Sequence, residues 1–553
     1  MHPRNTPVVG LLLALIAHAL PQNAAAQGPG PLPPPPFPPG NPITSAKVNL
    51  GKALFWDEQM SSTNTTACGS CHVFEHGGSD PRTSNATVHP GVDGAFGGAD
   101  DVFGSPGVPR TEAAGAYSLD AVFRLRTQVT GRKAPSVINS AYVPASFWDG
   151  RADPTFRDPL TNQVVLPGGA SRESQVVEPP ISDVEMGHVG TDWNDVAGKI
   201  AAAVPLRLSP AIPAQLSTWI AGRTYPELFQ EAFGSSDVTP ARIAMAIATY
   251  ERALVSNQAP FDQLLAGNPQ ALTPQENAGF QVFNGPGRCN ICHAGPRLTN
   301  DSFRYIGVRP QNDDLGRFVV TGNNADRGRM KVPSLRNVDR RAPYFHTGRF
   351  GTLEDVVDFY NRGGDFDAQN KDANILPLGL TPQQRANLLA FLRRPLTDPR
   401  VTNQQAPFDH PALNQSSPRV PQLFGVGTPG TGGFVPRLVA VEPPYVGSPR
   451  FTVALDGACA GKGAILAFSE TSVPGGALFF GMTTYLDLNG PLLVRRLGPL
   501  TGAGPGTGFG SGSIAIPNDP LLVGRTFYAQ AFVLDLTPGH RFAATEAVAL
   551  TRF

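Results

Sequence analysis

Two short stretches constrain this chain of 553 residues more than anything else in it: Cys68-Gly69-Ser70-Cys71-His72 and Cys289-Asn290-Ile291-Cys292-His293. Both read Cys-x-x-Cys-His, the attachment pattern of c-type haem. Two thiols three residues apart on one helical turn can each form a thioether to a vinyl group of the porphyrin. The next His then lies beneath the ring and ligates the iron. A redox Cys-x-x-Cys pair or half a zinc site would not need the trailing His, and a zinc site would need further ligands at related spacing. Two covalently bound haem c groups are the expected cofactors, with Cys68, Cys71, Cys289 and Cys292 as attachment residues and His72 and His293 as iron ligands.

The first residues set the compartment. Arg4 precedes an apolar run from Val8 to Ala17, and Ala24-Ala25-Ala26 offers a small-residue cleavage site before Gln27. Residues 1–26 therefore read as a signal peptide, and the expected location is periplasmic or secreted. Residues 27–44 form a proline-rich linker, read as a stiff spacer without a core. The 44 Lys+Arg balance 44 Asp+Glu, so the basic excess of a nucleic-acid binder is missing. No internal apolar run reaches the roughly 18–20 residues of a membrane span. A hydrophobic content of 41% is ample for buried cores.

Along the chain, residues 41–72 read as a short helical lead-in to the first haem, and residues 73–130 as a long Gly-rich loop. Helical patterns run from about 193 to 257. Thr273-Pro274-Gln275-Glu276 is a capping box that opens the helix leading to the second haem. Thr381-Pro382-Gln383-Gln384 caps another, and Thr352 starts a third that carries Leu353, Val356, Val357 and Tyr360 at helical spacing. After about residue 420 the texture changes to alternating strands such as Phe451–Leu455 and Thr526–Leu534, separated by Gly/Pro turns. Cys459 there reads as a buried small residue. The fold expected is mainly α, two c-type-cytochrome-like helical haem lobes followed by a C-terminal all-β, sandwich-like module. The boundaries are 45–265 for the N-terminal haem domain, 266–415 for the C-terminal one, and 420–553 for the β module.

Two haems in one chain permit an electron shuttle, a peroxidase, or an oxidase of another protein. The sixth ligand of each iron separates them. A shuttle wants both irons saturated, whereas a catalyst needs one open distal face with polar groups to handle O–O cleavage.

Several stretches in one order resemble the bacterial di-haem cytochrome c peroxidase family, which includes MauG. They are Leu50-Gly51-Lys52-Ala53-Leu54-Phe55-Trp56-Asp57, Phe147-Trp148-Asp149-Gly150-Arg151, Pro260-Phe261-Asp262, Val332-Pro333-Ser334-Leu335-Arg336-Asn337 and Ala342-Pro343-Tyr344-Phe345-His346-Thr347-Gly348. The resemblance runs from about residue 45 to about residue 400 and does not reach the β module. It implies that the N-terminal haem is the peroxidatic one and the C-terminal haem the electron-transfer one. It also implies a distal Gln followed ten residues later by a Glu, which fall here on Gln175 and Glu185. A Trp between the haems corresponds to Trp148. The distal ligand of the second haem, Met in the peroxidases and Tyr in MauG, falls on Tyr360, with Met330 and His346 as the alternatives.

Two departures from the family stand out. The loop His that often blocks the first haem is missing, since no His occurs between His89 and His188; His76 or His89 could still reach that iron. The family's calcium site corresponds to Lys133 and Arg341, two cations that would repel a divalent ion. Calcium is therefore doubtful, and a side-chain ammonium is expected in its place. The primary expectation is an enzyme that reduces H2O2 to water with electrons from a small c-type cytochrome or copper protein. The alternative is a MauG-like enzyme that uses H2O2 to oxidise residues of a protein substrate, and a plain electron carrier comes third. Family members are often dimers, and no dimer face is legible here.

Overall fold

A computed structural model describes residues 32–537 and 540–553. The signal peptide expected at 1–26 lies outside the described residues. The described part of the proline-rich segment is laid onto the protein rather than held off as a spacer. Leu32 is buried, Pro33 O accepts a hydrogen bond from Tyr142 Oη (2.6 Å), and buried Asn41 donates to Glu173 (2.8 Å) and to Met245 O (2.9 Å).

Each attachment motif follows a helix that crosses a second helix at a glycine. In the first lobe, Ser45–Trp56 is N-capped by Thr44 and crosses Pro240–Ala253. A Cβ on Gly51 would run into the Ala246 carbonyl, so only glycine lets the two backbones meet. In the second lobe, Pro274–Asn284 crosses Pro382–Leu392, and Gly279 meets the Asn387 carbonyl in the same way. Both helices of that second pair begin with the reciprocal caps expected, Thr273 with Glu276 and Thr381 with Gln384. Such caps contribute about 1 kcal/mol each. Thr352 likewise caps Leu353–Asn361, which carries Tyr360.

The first core gathers Leu50, Leu54, Phe55, Ile243, Ile247 and Tyr250, and the second gathers Phe261, Phe283, Leu353, Leu388 and Phe391. One boundary differs from expectation. Val401, Phe408 and Leu413, placed by sequence in the second domain, pack into the first core. His410 stacks on Trp56 there, 3.9 Å between ring centroids. The chain returns to the first lobe because its aromatic face beside the helix Ser45–Trp56 needs a cover.

The C-terminal region is β-rich. A three-stranded sheet contains Arg437–Val439, Phe451–Ala458 and Gly508–Ile514. A six-stranded sheet is built around Gly463–Ser469 and Thr526–Thr537. Val453 and Leu455 from the first sheet share one core with Leu466, Ala529, Ala531 and Val533 from the second. Cys459 is half-buried rather than buried. Among the described residues, no helix is long and apolar enough to cross a membrane.

Candidate functional site

The first cavity, about 710 Å³, is lined by Cys68, Cys71 and His72 together with Trp148, Gln175 and Glu185. The two thiols lie at either end of a single helical turn, Cys68–Cys71, whose start is fixed by Ala67 N donating to Ser70 Oγ (2.9 Å). His72 Nδ1 lies 3.2 Å from Gly78 O. A carbonyl only accepts, so Nδ1 carries the proton and Nε2 keeps its lone pair free for a metal. The second cavity, about 270 Å³, repeats the arrangement with Cys289, Cys292 and His293. His293 Nδ1 lies 3.1 Å from Leu298 O. Burial pushes both imidazoles down to about 4, which keeps Nε2 unprotonated at neutral pH. Tyr360, Met330 and His346 all line this second cavity. Burial raises the Tyr360 phenol well above its usual range. Among the described residues, buried His346 Nε2 has no hydrogen-bond partner.

These residues fit a haem in each cavity. Two free thiols and one prepared imidazole nitrogen converge in each. Lys133, Arg309 and Lys331 line both cavities.

The distal groups of the first cavity are held from behind. Gln175 sits on the helix Ser171–Val176, which is fastened to Pro240–Ala253 by two buried ion pairs. Arg252 bonds both carboxylate oxygens of Glu173 (2.8 Å each), and Arg172 reaches Glu251 (3.2 Å). Glu185 follows a tight turn, its N–H donating to Ser182 O (3.2 Å). Burial raises the Glu185 carboxyl, Arg151 partly offsets this, and Glu178 adds to the rise. Arg151 offsets it only in part because Glu178 (2.9 Å) and Asp149 (3.2 Å) already share its charge.

His89 also lines the first cavity, whereas His76 does not; His76 lies beside Glu75 and Arg340. The sequence offered both without separating them. The ladder that pairs His89 with Val102 puts it at the cavity.

Trp148 borders both cavities. Its indole N–H donates to Lys133 O (2.8 Å), and its ring centroid lies 6.1 Å from that of His346. Lys133 ties the two lobes together. Its backbone N–H donates to His346 O (2.8 Å), and its ammonium donates to Arg341 O (2.6 Å) and to Pro343 O. Burial and the nearby Arg341 guanidinium push that ammonium down to about 7.

The sequence model of the di-haem cytochrome c peroxidase domain matches residues 45–270. The chain is 31% identical over 375 residues to methylamine utilization protein MauG of Methylorubrum extorquens, covering 67% of this chain and 84% of that protein. It is 29% identical over 385 residues to cytochrome c551 peroxidase of Nitrosomonas europaea, covering 69% and 87%. A crystal structure of a MauG-like protein associated with microbial copper homeostasis superposes with a TM-score of 0.48 at 26% identity, covering 69% of this chain and 97% of that one.

Proposed function

Since the chain belongs to the di-haem cytochrome c peroxidase family, which includes MauG, we propose that its two cavities divide one peroxidase reaction between them. The protein is an oxidoreductase of the haem peroxidase type. In this reading H2O2 reacts in the His72 cavity, and electrons enter at the His293 cavity and cross by way of Trp148. The supporting observation is that Gln175 and Glu185 share a cavity with Cys68, Cys71 and His72, while Trp148 borders both cavities.

Bound haem iron would supply the site where peroxide is held and reduced. Cys68, Cys71 and His72 hold that group in the first cavity, and Cys289, Cys292, His293 and Tyr360 hold it in the second. The Glu185 carboxylate takes a proton from one peroxide oxygen and returns it to the other, which leaves as water. Gln175 orients the peroxide from the same side. With two electrons and two protons, one H2O2 gives two waters. In this reading the Lys133 ammonium, bonded to the carbonyls of Arg341 and Pro343, takes the place of the family's calcium. A small c-type cytochrome or copper protein is the electron donor in this reading, and the apolar N-terminal segment supports a periplasmic or secreted location.

Tyr360 favours a second reading. Tyr360 rather than Met330 as the ligand in the second cavity fits oxidation of residues on a partner protein with H2O2 as oxidant. One experiment separates the two. Ferric, haem-loaded protein is mixed with one equivalent of H2O2, the Soret and near-infrared bands are followed, and reduced small cytochrome c is added. Rapid, repeated oxidation of the cytochrome establishes the peroxidase. A long-lived spectral change that ignores the cytochrome establishes the second reading. No reaction in the ferric state means that a side chain such as His89 closes the first site, and the open-site reading fails.

A further inference from the structure

Among the described residues, neither cavity is lined by any residue of the β module, yet the module grips the element that shapes the first one. Pro106–Pro109 and Thr127–Val129 pair antiparallel, with Pro106 opposite Val129 and Pro109 opposite Thr127. On the cavity side this ladder encloses the turn that carries Glu185. Val108 N donates to Val184 O (3.2 Å), and Gln128 Nε2 donates to Asp183 O (2.6 Å). Gly107 lies so close that a Cβ there would collide with Val184 O and with the Glu185 backbone. Gly107 O in turn accepts from Thr66 Oγ1 (3.0 Å), just ahead of the Cys68–Cys71 turn.

The loop 110–126 that joins the two strands runs the other way, into the module. Tyr117 and Leu125 are buried with Ala454, against Val439, Val441 and Phe509. Tyr117 N donates to Ser511 Oγ (3.1 Å), and its hydroxyl faces Glu442. Arg124 pairs with the buried carboxylate of Asp456 (2.8 Å). Arg450 packs on Gly115 and donates to Ala113 O (3.4 Å).

We propose that the β module is a positioning element for Glu185, acting through the hairpin 106–129. A two-stranded ladder this short has little stability of its own. Its loop buries Tyr117 and Leu125 in the module, so the module supplies the order that the hairpin passes to residues 183–185. The half-buried Asp183 and Val184 take the hydrogen bonds of their carbonyls from the hairpin. Tyr117, Arg124 and Asp456 are therefore positioning residues. The inference rests on the reading that Glu185 moves the peroxide proton.

The test uses the full-length, haem-loaded chain carrying Tyr117→Ala or Asp456→Ala, with Tyr117→Phe as the conservative control. Amide hydrogen exchange is read by mass spectrometry, and the rate of the peroxide-induced Soret change is measured beside it. The expected result is faster exchange at 182–187 as well as at 110–126 in both Ala variants, with near wild-type behaviour in Tyr117→Phe. The peroxide rate should fall about tenfold or more, since misplacing a reacting group by about 1 Å can cost about a hundredfold. Faster exchange confined to 110–126 and the module, with 182–187 and the peroxide rate unchanged, overturns the proposal. Should Tyr117→Ala not fold, Arg124→Met removes the half-exposed partner of the same ion pair and is read identically. If Glu185→Gln leaves the peroxide rate intact while Tyr117→Ala still loosens 182–187, the role given to Glu185 fails and the mechanical coupling stands.

Discussion

The two lobes are built by the same device and filled differently. Both set a Cys-x-x-Cys-His turn after a helix that crosses a partner at a glycine, and both lock the proximal His by a backbone carbonyl. The first cavity is the larger, about 710 Å³ against 270 Å³, and brings Gln175, Glu185, Arg151 and Arg172 to its walls. The second is closed in by Leu353, Val356, Val357, Leu388 and Leu392 around Tyr360. Attachment chemistry therefore does not assign the roles. In the proposed division, Gln175 and Glu185 make the first cavity the site of O–O cleavage, and the aliphatic side chains around Tyr360 leave the second to exchange electrons.

The sharpest way to break this comparison is Glu185→Gln. A general acid–base group contributes about 10²–10⁴-fold, so the peroxide-induced Soret change should slow by that factor in stopped flow. The reduction potential of the second haem should stay where it was. A loss shared equally by both sites would mean that the carboxylate is structural and that the division of labour is wrongly drawn.

Acidity probes the same group without removing it. Burial raises the Glu185 carboxyl above 4.5, Arg151 pulls it back, and Glu178 pushes it up. Proton abstraction needs the carboxylate, so the peroxide rate should be full above the raised pKa. It should fall about tenfold for each further pH unit below it. Arg151→Met removes the cation that favours the charged form, so the midpoint should move up; Glu178→Gln should move it down. A midpoint unmoved by either change would place the titrating group elsewhere.

What the sequence made legible follows from range. The attachment turns and the caps at Thr273 and Thr381 involve residues three or four apart, and local chemistry fixes them. Gln175 and Glu185 reached the first cavity in the reading only through resemblance, because nothing local on the helix Ser171–Val176 says which wall it faces. His89 stayed level with His76 until the ladder with Val102 placed it. The return of Val401, Phe408 and Leu413 to the first core, and the Arg124–Asp456 pair, join residues hundreds of positions apart. Such contacts leave no periodicity to read. Cys459 read as a buried small residue because free cysteine is usually buried, yet it follows the end of Phe451–Ala458 and is only half-buried.

Trp148→Phe tests the link between the cavities rather than either cavity. A phenyl ring replaces the more easily oxidised indole, and the N–H to Lys133 O is lost. Electron passage from the second haem to the first should slow by about tenfold, equivalent to about 1.4 kcal/mol of barrier. It is read as the lag between the two Soret changes after the second haem alone is reduced. The ferric peroxide step should be unchanged. Equal slowing of both would make Trp148 a wall of the first cavity and nothing more.

The smallest effect on peroxide chemistry belongs to Tyr360→Met. Tyr360 lines the second cavity and not the first, and in the proposed division the peroxide step takes place in the first. The peroxide step should therefore hardly respond, while the reduction potential of the second haem rises as a thioether replaces a phenol. Potentiometric titration of the two haems reads this directly. A potential that does not move would mean that Tyr360 is packing and that Met330 or His346, whose Nε2 has no partner among the described residues, provides the sixth ligand. A peroxide rate that falls along with the rising potential would mean that the two haems react as one unit, and the contrast between a polar working site and an apolar relay would give way to the second reading, in which oxidising power is shared across both.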